Sequence, residues 1–196
     1  LMRALELLNY LHALSDEGDL TKLGASMAEL PLPPELSAAL LASVELGVSG
    51  ALLTIAAMLS STANVFLRPK ADRARADAAR RRFEHTAGDH LTLLRTFNAY
   101  SALSSKDNAR DRWCWDNYVN PRALQSATSV RAQLARVLSK LSDKPAGVDD
   151  STLREAEYDD RVLKALLSGF FMQVAHRQAG KAGSGGGYLT VKDHQL

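Results

Sequence analysis

Residues 83–94 read Phe83-Glu84-His85-Thr86-Ala87-Gly88-Asp89-His90-Leu91-Thr92-Leu93-Leu94. Gly88 tolerates backbone angles that other residues avoid, so it interrupts the arginine-rich segment before it. Asp89 is a good N-cap, because its carboxylate accepts from the free N–H groups of the turn that follows. Leu91, Leu94, Phe97 and Tyr100 then recur at helical spacing. The stretch predicts a helix–elbow–helix with His85 and His90 at the corner.

Before the elbow, residues 70–82 are rich in alanine and arginine, both strong helix formers. Arg73, Asp77 and Arg80 or Arg81 lie three or four apart, so part of this charge is expected to pair within the helix. Farther upstream, Leu1, Leu5, Leu8 and Leu11 predict a helix to about residue 14. Thr21 caps a second helix through Met27 and Leu30. Pro34 opens a third, which Gly47 stops, and Ser49 caps a fourth through Met58. Short helices around a glycine turn fit a winged-helix-like module over residues 1–64, and a plain helical bundle fits the same periodicity.

After the elbow helix, residues 110–118 carry Trp113, Trp115 and Tyr118. Asn120 then caps, and Pro121 starts a long helix to about Leu141 with Leu124, Ala127, Leu134 and Leu138 as its apolar seam. Residues 65–157 form the helical-bundle part on this reading. Residues 143–150 read as a linker, and residues 158–167 as a last helix stopped at Ser168-Gly169. Alternation over residues 170–175 and 188–192, around a glycine-rich tip at residues 180–187, predicts a hairpin. A lone hairpin is unstable, so residues 158–196 read as a linking helix and the beginning of a larger β unit. The fold class is mainly α.

With 46% hydrophobic and 23% charged residues the chain is globular, and the lone Cys114 excludes an internal disulfide and fits a reducing compartment. No apolar run approaches bilayer length, so no membrane contact is expected. A start inside an amphipathic helix reads as a piece of a longer protein. The net charge of +2 hides an asymmetry. Residues 1–64 carry two basic and seven acidic side chains, a balance of −5. Residues 65–141 carry fifteen basic and seven acidic, a balance of +8. Residues 142–196 carry seven basic and eight acidic, a balance of −1. Only the middle third has the field of a nucleic-acid surface.

No Gly-x-x-x-x-Gly-Lys-Ser/Thr phosphate loop occurs, so hydrolysis of a nucleotide by this stretch alone is not expected. His85 and His90 straddle a break, which suits hydrogen-bonding elbow residues better than a metal pair. Cys114 reads as a small buried side chain, with no base to activate it. Trp113 and Trp115 point to different sides of a helix, so at least one is core while either could stack a base. Arg68 and Arg122 fall near helix starts that favour phosphate. Arg131 lies on an apolar seam, which requires either an ion pair or a polar channel for RNA.

The elbow string resembles a signature of the helicase-associated region of DEAH-box RNA helicases. Leu20-Thr21-Lys22-Leu23-Gly24 with Leu30-Pro31-Leu32 resembles that family's winged-helix segment. Asn64-Val65-Phe66-Leu67-Arg68-Pro69, Trp113-Cys114 and Val130-Arg131-Ala132-Gln133-Leu134 resemble its ratchet-like domain. Residues 168–176 and 188–193 resemble the start of its oligonucleotide-binding (OB-fold) barrel, here truncated after the first hairpin. The wording Phe-Phe-Met-Gln-Val-Ala at residues 170–175 points to the branch acting in spliceosome disassembly and ribosome biogenesis. Pro121 departs from the family's usual aromatic residue.

The resemblance implies missing upstream motor domains that bind ATP and Mg, with no cofactor in this fragment. It implies a clamp on single-stranded RNA that couples motor motion to 3′–5′ translocation, for which Arg68, Arg122 and Arg131 are the candidate contacts read from the residues above. It implies spliceosomal or pre-ribosomal partners, and a nuclear location in nucleoplasm and nucleolus with the cytoplasm as an alternative. It also implies a G-patch activator on the acidic module, for which Met27, Leu30 and Leu32 are candidate contacts. The alternative is a protein-binding helical scaffold without RNA contact.

Overall fold

The computed structural model describes residues 2–61, 63–104, 108–144, 147–177 and 187–191. Its first four helices are α1 (Met2–Tyr10), α2 (Lys22–Ala28), α3 (Pro34–Glu45) and α4 (Ser49–Leu59). A 3-10 turn at Lys70–Asp72 leads into α5 (Arg73–Arg81), followed by α6 (Asp89–Ser101) and α7 (Ala109–Asp116). The long α8 (Pro121–Leu141) and α9 (Glu155–Phe170) complete the helices, and β1 (Ala175–Arg177) pairs with β2 (Tyr188–Thr190). The fold is mainly helical and ends in a two-stranded antiparallel hairpin, with His176 opposite Leu189.

Local capping chemistry placed several boundaries. The Thr21 side chain accepts from the Gly24 N–H, and the Asn120 side chain accepts from that of Arg122. Pro34 and Pro121 occupy first helical positions, where a missing N–H costs nothing. Gly47, at φ +70, turns the chain between α3 and α4.

Helix α4 is the hub. Every residue except Leu59 is buried, which is how a helix apolar on all sides must sit. It packs against α3, α6, α8 and α9. The main core joins Leu40, Leu52, Leu53 and Ile55 to Leu91, Leu134, Leu138 and Val162. That core draws on all three of the expected segments, so no separate core marks residue 64. A second cluster gathers Met58, Phe97, Tyr100, Cys114 and Leu124. A third, around Leu11, Ala13 and Met27, fastens α1 and α2 to Ala38 of α3.

Ser49 is not the cap of α4 but its first helical residue, with Val48 before it. The cap comes from Asp149, whose Oδ1 accepts from the N–H groups of Gly50 at 2.6 Å and Ala51 at 3.2 Å. Residues 147–150 are therefore not a loose linker. Val48 forms a β-bridge with Asp149, the Asp150 N–H donates to the Gly47 carbonyl, and the Gly147 N–H donates to Ser49 Oγ. The second oxygen of Asp149 accepts from the Tyr158 hydroxyl of α9 at 2.8 Å.

Gly169 does not stop α9, which continues to Phe170. The helix passes so close to α3 that a Cβ at Gly169 would overlap the Glu35 carbonyl. Phe170 packs on the main core and Phe171–Gln173 forms a 3-10 turn, so the first strand starts later than the alternation predicts. Of the glycine-rich tip only Gly187 lies within the described residues, and Lys192 lies outside them.

Replacing Asp149 with Ala removes a cap and leaves the Tyr158 hydroxyl without its acceptor. We expect a loss of about 2–4 kcal/mol in urea unfolding, since each deficit costs roughly 1–2 kcal/mol or more. Asp149→Asn keeps an oxygen for the α4 N–H groups and should lose less than half as much.

Candidate nucleic-acid interface

The elbow is held by hydrogen bonds. The His85 N–H donates to Thr92 Oγ1, and Thr92 Oγ1 donates to the Gly88 carbonyl. His85 Nδ1 accepts from the Ala87 N–H at 3.1 Å, so the ring proton sits on Nε2, 3.2 Å from Asp159 Oδ2 on α9. His85 thus ties the corner to the last helix. Among the described residues no three potential metal ligands come together.

Gly88, at φ +112, is the residue before α6, and Asp89 is the first helical residue rather than the cap. The Asp89 side chain makes no capping hydrogen bond and lies 3.4 Å from Arg80 instead. Its charge still complements the N-terminal end of α6. Burial holds the His90 imidazole below its ordinary pKa of 6.5, against the opposing pull of Asp89.

The three predicted arginines do not converge. Arg68 is exposed but bound by Asp77 through two 2.8 Å hydrogen bonds, the fork geometry that most favours a guanidinium–carboxylate pair. That pair raises the pKa of Arg68 and holds the Asp77 carboxyl below the usual range. Asp77 is therefore not used within α5 as the spacing suggested. Arg80 lies over the Phe66 ring at 5.1 Å as well as near Asp89. Arg68, Phe66, Arg80, Asp89 and Thr92 border a cavity of about 520 Å³.

Arg122 is exposed at the first turn of α8, and among the described residues its guanidinium has no acidic partner. Its helix start adjoins the Arg68 segment. Phe66 forms a β-bridge with Val119, the Leu67 N–H donates to the Tyr118 carbonyl, and the Asn120 N–H donates to the Val65 carbonyl. Arg131 lies nine residues beyond Arg122, about two and a half turns, which places it on the opposite side of α8. It is half-buried, and its Nε donates to Thr54 Oγ1 of α4 at 2.9 Å. Among the described residues no carboxylate pairs with Arg131, so the ion pair that its place on the seam allowed is not formed there. The buried hydroxyl of Thr54 takes one of its donors.

Met27 and Leu30 are core residues, 6% and 4% exposed, and only Leu32 keeps partial exposure. The apolar side chains that reach the surface of the acidic module instead include Met2, Leu5, Leu20 and Leu23. Trp113 packs against Phe83 and Tyr100, whereas Trp115 is 85% exposed. Burial, with the Asp111 charge second, pushes the Cys114 thiol up to about 11, which keeps it protonated and unreactive near neutral pH. Sequence reasoning missed Asp149 and Thr54, whose partners are 77 to 99 residues away.

Two family models match the chain: the helicase associated domain (HA2), winged-helix, over residues 4–32, and the helicase associated domain (HA2), ratchet-like, over residues 33–93. The two matches together span residues 4–93, under half of the chain, and over that part they indicate a helicase-associated accessory region and support the C-terminal region of a DEAH-box-type helicase. Domains of this kind point to association with helicase motor domains and with RNA generally. The elbow falls inside the ratchet-like match.

A histidine whose folded pKa is depressed takes up its proton more readily in the unfolded chain, so stability rises with pH through that range. Acidification below about 6.5 should therefore destabilise the protein partly through His90. Urea unfolding at pH 7.5 and 5.0 should show a larger loss for the native chain than for His90→Gln. Equal losses would assign the acid sensitivity elsewhere.

Proposed function

We propose that this region clamps single-stranded RNA along its basic middle third and couples the ATP-driven motion of upstream motor domains to 3′–5′ translocation. ATP and Mg belong to those motor domains on this reading, and this chain supplies the RNA grip. The observation that carries it is Arg122, an exposed guanidinium without an acidic partner among the described residues, at the start of a 21-residue helix. Helix starts and free guanidiniums both favour phosphate. The excess of basic over acidic side chains in residues 65–141 supplies the long-range attraction.

The remaining assignments follow from the same reading. The acidic module receives a G-patch activator, an assignment supported by its exposed Leu5, Leu20 and Leu23 rather than by the buried Met27 and Leu30. Phe-Phe-Met-Gln-Val-Ala at residues 170–175 supports work in spliceosome disassembly and ribosome biogenesis, hence in the nucleus. The hairpin serves as the start of an OB-fold barrel.

Binding of the chain to a short oligouridylate, measured against salt concentration, tests the grip. Each lost phosphate contact should flatten the log–log salt slope by about 0.7. Arg122→Ala should show that change with affinity reduced roughly fivefold, about 1 kcal/mol, the net contribution of one ordinary hydrogen bond at an exposed site. Arg131→Ala should weaken binding less, because Thr54 already takes one of its donors. Arg68→Ala should change little, because Asp77 neutralises it. Unchanged affinity and slope in Arg122→Ala would contradict the clamp and favour a protein-binding scaffold.

A further inference from the structure

A groove of about 560 Å³ lies between α5 and the end of α7. Its floor is Ala78 and Ala79, small residues that let a planar group approach. Arg75 of α5 and Arg82, the residue that follows α5, line it from one segment, and Trp115 and Tyr118 from the other. A single exposed hydrophobic side chain is ordinary on a protein surface. Here, however, the tryptophan is 85% exposed, lines the groove together with two arginines and shares no aromatic contact with another ring among the described residues.

The charge balance favours an anion. Arg75 is 3.8 Å from Asp72, and Asp116 borders the groove, but Arg82 has no ion pair or side-chain hydrogen bond among the described residues. One lining residue, Tyr118, also ties the groove to the Arg68 segment described above. Tyr118, held at φ +54, accepts from the Leu67 N–H through its carbonyl, next to Arg68 and four residues before Arg122.

We propose that this groove is a base-stacking site for single-stranded RNA, in which the Trp115 indole takes the face of an unstacked base. Arg82 holds the adjoining phosphate, and Asp116 repels the backbone from the Trp115 edge, so that the phosphates run along α5. Tyr118 closes the far side. The site rests on the RNA-binding reading above and adds to it a contact that reads bases rather than phosphates. Stacking is tolerant of base identity, so the site grips without selecting sequence.

The test compares the full 196-residue chain with Trp115→Ala, Trp115→Phe and Arg82→Ala on two probes. One is a short oligouridylate and the other an abasic strand of equal length. Oligouridylate should quench the exposed indole. Trp115→Ala should bind it about tenfold more weakly while binding the abasic strand as the native chain does. Trp115→Phe should recover most of the loss, and Arg82→Ala should flatten the salt slope on both probes. Oligouridylate affinity unchanged in Trp115→Ala, with Arg122→Ala still weakened, would overturn the stacking site alone and leave the groove to a protein ligand. Equal weakening on both probes in Trp115→Ala would overturn it as well. No RNA binding by the native chain would overturn both readings.

Discussion

A helix buried on every side cannot leave its first N–H groups to water, and α4 is such a helix. Asp149 meets that constraint by returning, 99 residues later, to accept from Gly50 and Ala51. The same carboxylate takes the Tyr158 hydroxyl, so the strap that caps α4 also seats α9. Burial and the neighbouring carboxylates push the Tyr158 hydroxyl pKa well up, which keeps it a donor. Helix α9 in turn presents Asp159 to His85. One capping requirement thereby joins the hub helix, the last helix and the elbow.

That rigid frame sorts the basic residues by availability. Asp77 fixes Arg68, Asp89 and the Phe66 ring engage Arg80, and Thr54 takes one donor of Arg131. Arg82 and Arg122, like Arg112 and Arg136, make no ion pair or side-chain hydrogen bond among the described residues. The excess of basic side chains in the middle third is thus an upper bound on what a phosphate chain meets. Exposed ion pairs such as Arg68–Asp77 add little to stability, so their effect is mainly to remove charge from the surface.

The elements legible in the sequence are those set by neighbours a few residues away. Thr21 and Asn120 capped as read, Pro34 and Pro121 opened their helices, and the apolar seam of α8 is buried at Leu124, Ala127, Leu134 and Leu138. The failures have a common cause in distant contacts. Ser49 and Asp89 have the chemistry of caps, yet Asp149 displaced the first and Arg80 drew away the second. Gly169 looked like a stop because its close approach to Glu35 belongs to another helix. Two tryptophans two residues apart had to diverge, and only the fold decides that Trp113 meets Phe83 while Trp115 meets water. Met27 and Leu30 looked available for a partner, but α1 and α3 cover them.

Where RNA lies on the chain is the central question for function. Photo-crosslinking of a 4-thiouridine-substituted single strand to the chain, with the joined peptides mapped by mass spectrometry, addresses it directly. Crosslinks should fall within residues 65–141, around the start of α8 and the Trp115 groove, and should be sparse in the acidic residues 1–64. Crosslinks confined to residues 1–64, or none above those of a denatured control, would contradict the account.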